Sequence, residues 1–298
     1  MGNMALFADR SSPKVIIYGD SGVGKTELAS KLAKFWNIIV LDLDNSLETY
    51  QKLPEEWQER VTYIGVKEDI ENPKAFATVD KILMAKLPVK YCVEHGRVDC
   101  LDCMKKGQKS ETLDLRTFDP KDTIIIVDSK TRYADSHFAS ATINVDFETV
   151  GEKAAFDHYG SLRQRMLNFE SLVQYNRFPM CIITHTEFVE TKEGNKFFPA
   201  GGTRKYASGS AKFYNTTIYM TKINGKINTC SVATGSMLSV ARSRSDIEVS
   251  MDNIETFYDC FRPMEKRVVF TKERIAQILK KREEDAKQKP VAPVLAKK

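Results

Sequence analysis

The sequence predicts an α/β protein with a mostly parallel central sheet flanked by helices, and three observations carry that prediction. Apolar runs of strand length alternate with segments of helical spacing. The first run, residues 15–18, leads into Gly-x-x-x-x-Gly-Lys-Thr and then into residues 27–35, whose spacing is helical. Three later apolar runs are continuous rather than alternating, as suits strands covered on both faces.

The glycine-rich stretch is Gly19, Asp20, Ser21, Gly22, Val23, Gly24, Lys25 and Thr26. In a strand–loop–helix setting it reads as a phosphate-binding loop. Its backbone N–H groups would surround the β-phosphate of ATP, Lys25 would reach the β- and γ-phosphates, and the Thr26 hydroxyl would ligate Mg2+. No Asn-Lys-x-Asp guanine motif is present, which favours ATP over GTP.

Residues 38–42 form the second expected strand, followed by a loop holding Asp42 and Asp44. Ligands of open α/β sheets bind at such carboxyl ends. Asp44, on a strand expected beside the phosphate loop, is the candidate that orients the attacking water; Asp42 is its rival. Residues 61–66 give a short strand and 73–87 a helix with Pro at its start. Residues 123–129 then supply four buried-type residues ending in Asp128, the pattern of a Walker B strand whose carboxylate holds Mg2+. Residues 130–152 lack a clean period and read as a loop, whereas 158–175 set Leu162, Met166, Phe169 and Val173 on one helical face. Residues 180–185 make the next buried strand, ending in Thr184 and His185, and His185 would sense the γ-phosphate.

Two stretches break this rhythm. Residues 88–121 form an insertion carrying Cys92-x-x-His95 and Cys100-x-x-Cys103, ligand pairs of the kind that hold tetrahedral Zn2+. A metal would stabilise a segment with little apolar material of its own. Residues 186–210 are polar and too long for a simple connector. In that stretch Lys192, Lys196, Arg204 and Lys205 can neutralise phosphates, while Phe197, Phe198 and Tyr206 offer faces for base stacking, a combination suited to single-stranded DNA. Beyond it, Asn224-Gly225 between two strand-like runs signals a hairpin, residues 271–284 read as a helix, and 285–298 as a disordered tail. The expected divisions are a flexible lead-in over 1–12, an ATPase core over 13–235, and a C-terminal extension over 236–284.

Composition bounds the function. The 298 residues are 42% hydrophobic and 29% charged, ordinary for a globular protein. No apolar run reaches membrane-spanning length, and residues 1–10 lack the plan of a signal peptide, so a cytoplasmic protein with no membrane partner is expected. The six cysteines then suggest thiols or metal rather than a disulfide framework. Residues 1–150 carry 20 Lys and Arg against 24 Asp and Glu, and residues 151–298 carry 25 against 16, so the second half is the candidate for polyanion binding.

Taken together, these residues resemble a RecA-type recombinase core, and most closely the short phage ATPases of the Sak single-strand annealing group. The resemblance rests on the phosphate loop, Asp42-Leu43-Asp44, the Val-Asp-Ser ending at Ser129, residues 181–185, and Gly201-Gly202 with Lys212-Phe213-Tyr214. It covers residues 13–235 and implies an ATPase stimulated by single-stranded DNA in a ring or filament of protomers, with a single-strand-binding protein as a further partner, in the cytoplasm of a bacterial host. Residues 130–159 and 186–210 would be the two DNA loops, and Lys212 would face the neighbour's nucleotide. His185 stands where recombinases carry glutamine and Asp44 where they carry glutamate. A helicase or helicase-loading ATPase, and a small-molecule kinase, share the phosphate loop and remain alternatives.

Overall fold

The structure, a computed structural model, describes residues 12–107, 110–145, 152–191, 194–231, 239–243, 247–262 and 280, with the side chains of 152–156, 191, 194 and 195 left out. In chain order the elements are β1 (Lys14–Gly19), α1 (Lys25–Ser30), β2 (Asn37–Asp42), α2 (Leu47–Gln51), α3 (Glu55–Gln58), β3 (Val61–Gly65) and α4 (Ala75–Leu83). The insertion supplies β4 (Val89–Cys92), β5 (Arg97–Val98), α5 (Leu101–Lys106) and β6 (Glu111–Leu113). Then come β7 (Thr123–Asp128), α6 (Lys130–Thr142), α7 (Glu152–Tyr175), β8 (Met180–Thr184), β9 (Thr186–Thr191), β10 (Gly194–Pro199) and α8 (Arg204–Ser210). The chain continues with β11 (Thr216–Ile223), β12 (Lys226–Cys230), β13 (Arg242–Ser243) and α9 (Ile254–Asp259).

The main sheet runs β3-β2-β7-β8-β1-β11-β12, with β13 on β11. Every pairing from β3 to β11 is parallel, and the pairings of β12 and β13 with β11 are antiparallel. This is the predicted α/β class.

Because side chains alternate across a strand, the central apolar runs feed two cores at once. Ile16, Ile39, Leu41, Ile125, Val127 and Ile182 point to one face, where α4, α6 and α7 close over them. Val15, Ile17, Ile38, Val40, Ile126 and Ile183 point to the other, beneath α1, Trp36 and residues 249–261. On α7 the expected face of Leu162, Met166, Phe169 and Val173 is buried, and Asn224-Gly225, both at positive φ, close the β11–β12 hairpin.

Several expectations need correction. Residues 130–142 are helix α6 rather than a loop. Its inward face carries Lys130, Tyr133, Ala134 and Ser136, so burial there is largely polar and leaves no apolar period to read. Residues 186–191 and 194–199 pair as the antiparallel strands β9 and β10 rather than lying in an open loop, and α8 follows them. The strand of Asp44 does not lie beside the phosphate-loop strand, because β8 and β7 separate β2 from β1. The expected helix over 271–284 and the tail over 285–298 lie outside the described residues save position 280, as does the lead-in apart from Ser12.

Candidate functional site: a phosphate loop facing two acidic strand ends

β1 ends in Gly19, where an added Cβ would lie 2.2 Å from the Met220 carbonyl oxygen of neighbouring β11. Only glycine allows that approach. Gly24, the residue before α1, has φ 85°, a conformation that a side chain disfavours. The loop between them therefore bends onto the start of α1, which a 3-10 turn over Lys31–Lys34 extends.

Lys25 is buried, and its Nζ donates to the carbonyls of Gly19 at 2.9 Å and Asp20 at 2.7 Å. Burial lowers its pKa, while Asp128, Asp44 and Asp20 act in the opposite direction. Those loop carbonyls hold the ammonium at the mouth of the loop, ready to exchange them for phosphate oxygens. The Thr26 hydroxyl donates to Asp128 Oδ2 at 2.7 Å, and Ser46 Oγ donates to the same oxygen at 3.3 Å. Burial pushes Asp128 up to about 7, with Asp44 and Asp42 adding to the shift and Thr26 and Ser46 opposing it. A hydroxyl and a carboxylate in contact at the foot of a phosphate loop suit a hard divalent cation such as Mg2+.

The geometry separates the two acidic candidates on β2. Asp42 is 2% exposed and saturated: Oδ1 accepts the Asp44 N–H at 2.9 Å, while Oδ2 accepts the Ser46 N–H at 2.6 Å and the Tyr63 hydroxyl. It shapes the loop. Asp44 is half-buried and accepts from Arg132 Nε at 3.0 Å. Despite the intervening strands, Asp44 is close enough to Lys25 and Asp128 to act on the titration of both. Arg132 lies on the first turn of α6, where no apolar period in the sequence marks a helix.

β8 lies between β1 and β7, so its end emerges between the phosphate loop and Asp128. His185 is half-buried there; burial and the charges of Lys25 and Arg132 lower its pKa, and Asp44 and Asp135 oppose them. Its backbone N–H donates to Thr131 Oγ1 at 3.1 Å. Thr184 Oγ1 shares a hydrogen bond of 2.8 Å with Thr131 Oγ1 and donates to the Ala200 carbonyl at 2.9 Å. Lys25, Thr26, Asp44, Asp128 and His185 thus converge.

The residues expected to contact DNA divide. Arg204 and Lys205 are exposed on α8, and Arg204 pairs with Glu187 at 3.4 Å, a surface contact of little energetic weight. Lys196 and Phe197 are half-buried on β10, and Phe197 stacks against Tyr219 with ring centroids 5.9 Å apart. Phe198 and Tyr206 are buried, which corrects the expectation that their rings serve as stacking faces. The Tyr206 hydroxyl instead donates to Glu170. Phe188, opposite Phe197 and 48% exposed, is a ring that the sequence reading passed over. Lys192 lies outside the described residues. Lys212 is exposed, its ammonium 5.0 Å from the centre of the Phe213 ring.

In the insertion, β4, β5 and β6 form a small antiparallel sheet that brings Cys92, His95, Cys100 and Cys103 together. One ligand atom from each lies within 4.8 Å of all the others, with the three cysteines buried. Tetrahedral Zn–S bonds of about 2.3 Å place sulfurs roughly 3.8 Å apart. Here the Cys92 and Cys103 sulfurs are 2.9 Å apart and His95 Nδ1 is 3.1 Å from Cys103 Sγ, so three thiols and an imidazole are gathered tightly enough that they could hold one metal ion after a small outward adjustment.

The AAA domain family matches residues 11–196, from the start of β1 into β10. The chain belongs to that family of P-loop nucleoside triphosphatases. No curated protein matches the chain. Among the described residues, no helix is long and apolar enough to cross a membrane.

Proposed function

We propose that this chain is an ATP-dependent single-stranded-DNA-binding protein of the phage recombination type, which promotes annealing or strand exchange as a ring or filament of protomers. The Thr131–Thr184–Ala200 hydrogen-bond line carries the reading. It starts three residues after Asp128, crosses the end of β8 beside His185, and reaches the segment that leads into Arg204 and Lys205. A change at the γ-phosphate position can thereby move a basic surface.

For hydrolysis, Lys25 and the loop N–H groups hold the phosphates, and Thr26 with Asp128 would hold Mg2+, which neutralises charge on the phosphate oxygens when bound. Asp44 accepts a hydrogen bond from the attacking water and aims it at the γ-phosphorus; Arg132 fixes the rotamer of that carboxylate. His185 reports the γ-phosphate to the Thr131–Thr184 pair. Lys196, Arg204 and Lys205 neutralise DNA phosphates, and Phe188 takes over the base-stacking role first assigned to Phe198 and Tyr206. Lys212, exposed, faces a neighbouring protomer's nucleotide, and a single-strand-binding protein is a further partner in the resemblance.

Neutralising Arg204 and Lys205 together should weaken single-stranded DNA binding and flatten its salt dependence by a slope of roughly 0.7 per lost phosphate contact. Binding titrated over salt in the ATP and ADP states measures this; an unchanged slope would move the DNA surface off α8.

The insertion is read as a zinc module held by Cys92, His95, Cys100 and Cys103. Protein purified without chelator should carry about one equivalent of zinc by elemental analysis, and Cys103→Ser should lose it. Absence of metal from the wild type would leave the four groups as packed thiols and an imidazole.

A further inference from the structure

We propose that the Cys/His insertion is the brace that positions the Asp44 loop for hydrolysis, with Tyr63 and Tyr91 as the positioning residues through which it acts. The inference rests on the zinc and ATPase readings above and adds a function that neither assigns: metal occupancy in the insertion sets the geometry of a carboxylate in the adjoining loop of the main sheet.

The route is continuous. Cys92 ends β4 and His95 lies in the β4–β5 turn directly before Gly96, which has φ 59° and is pressed against the end of β3. A Cβ on Gly96 would lie 2.4 Å from the Lys67 nitrogen and 2.5 Å from the Gly65 carbonyl oxygen, so the metal-ligand turn and the main sheet meet backbone to backbone. Around that contact the Tyr91 hydroxyl donates to the Gly65 carbonyl at 2.6 Å, Lys67 Nζ donates to the Glu94 carbonyl at 2.9 Å, and Arg97 pairs with Asp69 at 2.6 Å. Four contacts lock the insertion to the residues that follow β3.

From there the route turns back to the site. The Val66 N–H donates to the Asp42 carbonyl at 2.7 Å, and the Tyr63 hydroxyl donates to the Asp42 carboxylate. That same carboxylate receives the backbone N–H groups of Asp44 and Ser46, and Ser46 in turn reaches Asp128. Asp42 is thus a junction: the brace fixes its carboxylate from one side, and the catalytic loop hangs from it on the other. Among the described residues β3 is the edge strand of the main sheet, next to β2, with no strand on its outer side. The insertion braces its end instead. Without metal, Cys92 and His95 lose their common anchor, the Gly96 turn can leave Gly65 and Lys67, and the Asp42 junction loosens.

The test uses the full chain in three forms: zinc-loaded wild type, wild type stripped with a zinc chelator and then reloaded, and the variants Tyr63→Phe and Tyr91→Phe. Amide hydrogen exchange over residues 42–46 is the primary readout, because it needs no catalytic activity. Stripping should speed exchange there by about tenfold and leave β1 and β8 unchanged, and reloading should reverse it. Tyr63→Phe should produce the same local change with zinc still bound, and should lower ATP turnover by about tenfold while nucleotide affinity stays within about twofold. A merely structural role for Tyr63 would move affinity and turnover together. Exchange over 42–46 that does not respond to stripping or to either variant overturns the proposal. Wild type that holds no zinc refutes the zinc reading alone, and the two tyrosine variants then decide whether the insertion braces the loop.

Discussion

Replacing Lys25 or Asp128 with alanine should lower ATP turnover by about 100- to 1,000-fold, the scale of losing one preorganised charge aimed at the transition state, and should leave the fold intact. The two halves of that result have different causes. Lys25 is spent on two loop carbonyls, so its removal frees acceptors that water or the loop can satisfy. Asp128 is buried with two hydroxyl donors and, among the described residues, no ion-pair partner; alanine there removes a charge that burial already disfavours. Thermal unfolding and phosphate release measured on the same samples separate catalysis from folding. Variants that fail to fold would show that these groups serve packing rather than phosphate.

Lys130→Met should be among the most destabilising single changes in the chain, although Lys130 is two residues from Asp128, the carboxylate proposed to hold Mg2+. Its Nζ donates to Glu170 Oε1 at 2.6 Å with both side chains fully buried, and it lies 5.0 Å and 5.6 Å from the ring centres of Tyr206 and Tyr214. Burial lowers the pKa of Lys130, and Glu170 opposes that shift. Breaking a buried pair leaves an uncompensated charge and costs about 3–5 kcal/mol, or about 10 °C in melting temperature for a chain of this size. The double variant Lys130→Met, Glu170→Leu should recover much of the loss, since both charges are then gone. A double variant as unstable as the single one would mean that packing against Gly201, whose Cβ would lie 3.2 Å from the Lys130 stem, dominates instead.

What could be read from the sequence follows from how narrowly chemistry constrains each part. A phosphate loop needs glycine where backbone meets backbone or φ turns positive, and lysine at one place, so Gly19 to Thr26 stood out. Asp128 stood out because four buried residues announced its strand. The Cys/His pairs were legible because soft donors at short spacing have few other uses. Helix α6 was not, because its buried face holds Lys130 and Ser136, and with it Arg132 was missed. Phe198 and Tyr206 looked like surface rings in a polar stretch; the β10 pairing and the Gly201-Gly202 turn tuck them inward, and no local pattern marks that. Strand order was equally hidden, since β2 follows α1 in sequence yet pairs with β7 and β3. The choice between Asp42 and Asp44 needed Tyr63, a partner 21 residues on from Asp42.

ATP hydrolysis at this phosphate loop is proposed to be coupled to single-stranded DNA. Steady-state phosphate release by the full chain, with Mg2+ and ATP, in the presence and absence of a single-stranded oligonucleotide, tests it most directly. Slow basal turnover should be stimulated several-fold or more by the oligonucleotide, lost in Lys25→Ala and no longer stimulated in His185→Ala. Turnover that is indifferent to single-stranded DNA, or phosphate passed to a small-molecule acceptor instead of water, would contradict it.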